Sequence, residues 1–191
     1  GGRCTTLDDA HTYNSVYQQQ YDTGHLRTSD CTFFYGHHAR CGDTACFSNW
    51  RPATFVVAMP AHVVATSGDA LQRLKFEHSE QYMMWAKAIL FNDGATATRL
   101  LGAEGADPRT AKKLGRRVQG FDPAVWRACA RPIVEHALCH KFQQNPEMRA
   151  HLLATHPKVL VEAAPRDRVW GIGLSKKTAL ERTPSEWRGT N

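Results

Sequence analysis

EHSEQYMMWAKAILFND, residues 77–93, contains neither Gly nor Pro and is rich in Met, Ala, Ile and Leu. It reads as a helix. At about 100° per residue, Tyr82, Trp85, Ala86, Ile89 and Leu90 form one broad apolar face. Glu80, Met84, Lys87 and Phe91 fall together on the other side. That side also carries large apolar groups, so the helix is expected to be buried almost all round, with two charges on one inward face. Glu80 and Lys87 are about 10.5 Å apart along the axis, further than the three or four residues of an ordinary helical ion pair. Their side chains can lean together as a half-buried pair, or Lys87 can bury its stem and keep its head in water. They can equally flank a bound molecule. One helix leaves these readings open.

Outward from this helix, CTFFYG at 31–36 reads as a short strand, and FSNWRP as a loop. TFVVAMPAHVVA at 54–65 places β-branched runs on both sides of Pro60, which predicts a pair of strands or one broken strand. The turn TSGDA then leads through LQRLKF into the helix. Asp107-Pro108 and Asp122-Pro123 each have the order of an N-cap followed by a first helical residue. Pro132 should kink or restart the second of these helices. Asn145-Pro146 opens another helix, KVLVEA is a strand, and the stretch from Arg166 is loop-rich. The expected fold is α+β, a single compact domain that is mainly helical with a small β-sheet. Residues 1–30 form a polar, partly ordered extension to a domain of residues 31–191.

The 191 residues are 42% hydrophobic and 22% charged, enough to bury one proper core. No run reaches the roughly 18 apolar residues of a membrane span, and the first residues carry no secretory pattern. An intracellular protein, cytoplasmic or nuclear, is expected. The six cysteines are scattered, which suits free thiols in a reducing compartment. His37, His38, Cys41 and Cys46 lie close together, but their spacing matches no usual zinc pattern. Neither metal nor cofactor is expected. The net charge of +6 and sequence pI near 9.1 suit an anionic partner such as nucleic acid or a phosphate-bearing ligand.

Three further groups bear on chemistry. Asp167 sits between two arginines and precedes Trp170-Gly171-Ile172-Gly173, where glycines let backbone amides approach a phosphate or sugar. Turns use such glycines too, and Trp170 and Trp187 serve equally well as core aromatics. Lys112, Lys113, Arg116 and Arg117 surround Gly115 and form either a solvated face or a phosphate contact. Trp126, in the first turn after Asp122-Pro123, can stack on a base or staple its helix to the core.

The order of these segments is more telling than any one of them. Asn49 after FS, then SEQYMMWAKA, KKLGRRV, FDPAVW, KFQQNPEMRAHLLAT, LVEAAPRDRVWGIGL and PSEWRGTN together resemble the NADAR family, from about residue 33 to 191. The resemblance implies an N-glycosidase that hydrolyses a bond between ribose and a nitrogen base. Members of the family cleave riboflavin-pathway intermediates or remove ADP-ribose from modified guanine in nucleic acid. By matching motifs, Glu80, Lys87 and Asp167 take the catalytic positions and Trp126 the family's tryptophan. Asn49, Gly171 and Gly173 fall near the sugars, together with Trp170, and Lys112 and Arg116 near the diphosphate. Gln81 stands where a histidine commonly follows the glutamate. The basic balance favours ADP-ribosylated DNA or RNA as partner, with the ADP-ribose moiety as ligand. The riboflavin-type reaction, and a module that binds ADP-ribose or NAD without cleaving it, are the alternatives.

Overall fold

The structure is a computed structural model that describes residues 26–60 and 71–191. The N-terminal extension up to residue 25, the second β-branched run and the TSGDA turn lie outside the described residues. The fold is α+β and mainly helical. The described residues gather into two compact units: one of residues up to Tyr35 together with Ala154–Asn191, the other of Gly36–Leu153.

Among the described residues, the two strands of the larger unit pair with each other.

 They are β2 (Phe55–Pro60) and β3 (Leu71–Phe76), antiparallel, with Phe55 opposite Phe76 and Pro60 opposite Leu71. The smaller unit holds β1 (Cys31–Phe34) and β4 (Val159–Glu162), which run parallel with Cys31 opposite Val159. Where the sequence predicts one small sheet, the described residues form two sheets of two strands each. Strand β2 runs to Pro60, where a missing N–H costs least, and the β-branched run on the other side of this proline lies outside the described residues.

The described residues also form six α-helices. Helix α1 (Ser79–Leu90) lies at the centre of the larger unit and packs against α2 (Gly94–Leu101), α3 (Pro108–Gly115) and α4 (Pro123–Gln144). Three neighbours explain its composition: every residue from Ser79 to Trp85 is buried, as a helix apolar on all sides requires. Phe76 at the end of β3 packs on Tyr82 and Trp85, with ring centroids 5.0 and 5.4 Å away, and on Phe55 at 5.8 Å. This aromatic cluster joins the sheet to α1, each such pair adding roughly 0.5–1.5 kcal/mol beyond its buried area. Helix α5 (Pro146–Ala154) follows, and the five-residue α6 (Lys176–Leu180) interrupts the closing loops.

The aspartate–proline signals hold. Asp107 accepts from Thr110 N at 2.8 Å, and Asp122 accepts from Ala124 N and Val125 N at 2.7 and 3.1 Å. Each satisfies amides that have no partner inside the helix. Pro132 does not restart a helix: α4 runs through it from Pro123 to Gln144. In the smaller unit, Phe33, Val161, Ile172 and Leu174 form a core onto which Trp187 packs, its ring edge-on to Phe33 at 5.9 Å.

Candidate functional site

Glu80 occupies the first turn of α1 and is 3% exposed. Its backbone N–H donates to the carbonyl of Asn49 at 3.0 Å, so the loop after Phe47 is tied to the start of the helix. The Asn49 side-chain oxygen is buried and accepts no hydrogen bond among the described residues. A residue with a buried carboxylate and one with an amide oxygen in want of a donor are therefore tied together at this corner through their backbones. That corner is built by His78, the N-cap, whose Nδ1 accepts from Gln81 N at 3.0 Å while its Nε2 faces the Gly105 carbonyl at 3.2 Å. Burial lowers the His78 pKa, which suits a neutral ring with one accepting and one donating nitrogen.

Gln81, at the position of the family's histidine, is structural. Its Nε2 donates to Leu100 O at 2.7 Å and its Oε1 accepts from Glu77 N at 2.7 Å. The side chain joins the start of α1 to the end of α2, one step round the helix from Glu80.

Two turns on, Lys87 is half-buried and donates from Nζ to the Gly115 carbonyl at 2.9 Å. The same ammonium lies 3.9 Å from the Phe121 ring centroid and 5.4 Å from that of Trp126. Burial pulls the Lys87 pKa down, while the ring faces favour the cation. Between the two charges, Met84 packs on Gly115 so closely that a Cβ there would collide with the Met84 sulfur. The shared face of α1 is thus covered by α3 at its middle. Glu80 and Lys87 mark its two ends.

Phe121 was not among the residues singled out from the sequence, although a signal for it exists. It precedes the Asp122 cap and Trp126 follows at the fourth helical position, the two places of a hydrophobic staple. The Gly115 carbonyl carries no such signal, because only the approach of α3 to α1 brings it to Lys87. Lys112 places its Nζ 5.6 Å over the Trp50 ring, and Arg116 is exposed at the C-cap of α3. A shallow hollow of about 560 Å³ is lined by Thr54, Glu77, His78 and Asn145, among others, and by none of the candidate residues.

Asp167, Trp170, Gly171 and Gly173 belong to the smaller unit. One oxygen of Asp167 accepts from Val169 N and Trp170 N, each at 2.9 Å, which makes the turn that Trp170 ends. A Cβ on Gly171 would meet Glu162 O and the Ala164 Cβ at 2.9 Å, and Gly173 has φ +67°. Both glycines thus have packing or backbone reasons of their own. Among the described residues no three His, Cys, Asp or Glu cluster as metal ligands would, and no helix is long and apolar enough to cross a membrane.

The model of the NADAR domain matches residues 33–191. The N-glycosidase R617 of Acanthamoeba polyphaga mimivirus is 33% identical over 166 residues, which cover 87% of this chain and 91% of the viral protein. Protein irg-1 of Caenorhabditis elegans is 34% identical over 152 residues, 78% of this chain and 71% of the worm protein. The NMR structure of the Escherichia coli protein YbiA is similar at a TM-score of 0.58 and 26% identity, over 86% of each chain.

Proposed function

Because the chain belongs to the NADAR family, we propose that it is an N-glycosidase that hydrolyses the bond between a ribose and a nitrogen base, with ADP-ribosylated guanine in DNA or RNA as its substrate. The observation that carries this reading is the buried Glu80 joined to Asn49, whose side-chain oxygen lacks a donor. A ribose hydroxyl would supply that donor. Breaking a ribosyl C–N bond builds positive charge on the sugar, and a carboxylate held at 3% exposure opposes that charge with little screening by water.

Lys87 is proposed as the nucleophile on the opened sugar. Its burial enlarges the neutral fraction that can attack. Nζ forms a bond to the anomeric carbon as the bond from that carbon to the base nitrogen breaks and the base leaves with a proton from the amine. The bond from the anomeric carbon to the ring oxygen then breaks, the ring oxygen takes a proton from Nζ, and an imine to the opened sugar is left. Water then hydrolyses the resulting imine, returning the amine and releasing the sugar. Trp126 and Phe121, beside the ammonium, offer faces on which a base can stack. Lys112 and Arg116 are proposed to hold the diphosphate. Asp167 and the segment from Trp170 to Gly173 enter this reading through the family motif alone, and Asp167→Asn tests that assignment.

The test is incubation with a guanine-ADP-ribosylated oligonucleotide and, in parallel, with a phosphorylated riboflavin-pathway intermediate. Release of ADP-ribose from the oligonucleotide, lost by at least about 10²-fold in Glu80→Gln with binding retained, is the expected result. Cleavage of the intermediate alone would move the same chemistry to metabolites. Binding of ADP-ribose with no cleavage of either would leave a binding module. Borohydride during turnover should trap the sugar on Lys87, and an absent adduct removes the nucleophile role.

A further inference from the structure

Helix α3 has two contrasting faces. Ala111, Leu114 and Gly115 are buried, whereas Arg109, Lys112, Lys113 and Arg116 follow one another at helical spacing on the outer side. The stripe continues beyond the helix. Arg51 donates to the His37 carbonyl at 3.2 Å, and the His37 ring lies 5.5 Å from Trp50, over which Lys112 is placed. Burial lowers the His37 pKa, and His38, Arg51, Arg109 and Arg40 all add to that lowering. The 37–51 loop and the start of α3 therefore share one positive field. Among the described residues none of these six cations is in an ion pair. The nearby Asp107 carboxylate is engaged in capping α3.

We propose that this surface, from α3 through Trp50 to Arg40, binds the phosphodiester backbone of a single-stranded polynucleotide. The inference deepens the reading above, and rests on it only in taking the strand to be the one that carries the modified base. Lys112 and Arg116 face the diphosphate in that reading, and Arg109, Arg51 and Arg40 carry the positive track onward for the flanking phosphates. Unpaired cations in a row are what a polyanion with released counterions rewards. Trp50 and His37 add ring faces among the charges, which suit unpaired bases and not a closed duplex.

The experiment is fluorescence anisotropy with an unmodified, labelled oligothymidylate at a series of salt concentrations. Wild-type affinity should fall with salt. In Arg40→Gln/Arg109→Gln, both changes being on exposed side chains, the slope of log K against log salt should become shallower by about 1.4, from about 0.7 per charge on single strands. Duplex of the same length should bind more weakly. An unchanged slope, tighter binding of duplex, or equal binding of polyglutamate would each overturn the proposal. The unmodified strand carries no scissile bond, so binding without any hydrolysis of the modified strand would remove that strand as the substrate and leave the surface standing. If both hold, the double variant should lose kcat/KM on the ADP-ribosylated oligonucleotide and keep it on ADP-ribosylated guanosine.

Discussion

Two lysines of the larger unit show how differently burial can be used. Lys87 is half-buried between rings, where an amine can be reached by a ligand. Lys141 is wholly buried, donates to Ser48 O at 2.9 Å, and has its pKa lowered to about 8, first by burial and then by Arg51, against the pull of Cys46. In the unfolded chain the same amine titrates near 10.5. Below pH 8 both states hold the proton and the cost of burying the charge is fully present. Between pH 8 and 10.5 the unfolded state binds more protons, so stability rises with pH, by on the order of 3 kcal/mol in all. Lys141→Met removes this dependence. Urea unfolding of both proteins across that range should show the wild type gaining on the variant, and parallel curves would refute the assignment. Holding Ser48 also steadies the loop that brings Asn49 to Glu80.

At the level of elements, both small sheets use an amide side chain in place of a further strand. Gln144 at the end of α4 accepts from Val56 N at 2.9 Å and donates to Val56 O at 2.8 Å. Asn191 does the same for β4, accepting from Glu162 N and donating to Leu160 O, both at 2.8 Å. Each blunts an edge that would otherwise present unpaired amides and carbonyls. Gln144→Ala should cost about 1–2 kcal/mol for its two bonds, and an unaltered urea midpoint would show that water replaces them freely. The sequence made some of this level legible. The Asp107 and Asp122 caps act within four residues, and the composition of 77–93 already implied neighbours on every side. Helix α2 was not read, since Gly94-Ala95-Thr96 is a poor start until Asp93 is seen accepting from Thr96 N at 3.0 Å and from Gln119 N at 3.0 Å. The pairing of LQRLKF with β2 was missed as well, because its polar residues mask the alternation. At the site, Glu80 and Lys87 could be placed on one face by periodicity, while Gly115 and Phe121 reach Lys87 only through tertiary packing.

The whole molecule is assembled from unequal parts. The larger unit is one continuous stretch of chain, whereas the smaller joins residues far apart in sequence through the parallel pairing of β1 with β4. A peptide of residues 154–191 lacks the partner of β4 and is expected to be unfolded by circular dichroism, while residues 36–153 should retain a cooperative thermal transition. A cooperative melt of the shorter peptide would contradict this. The contact of Met84 with Gly115 has a further consequence for the larger unit. The sulfur packs beneath α3 in a residue that is 7% exposed, so parting of α1 and α3 would open it to an oxidant. A sulfoxide oxygen would then occupy the space the glycine needs, and the helices could not close over it. One brief opening under oxidative stress would thus be written into the protein until the thioether is restored by reduction, at the midpoint between its glutamate and its lysine.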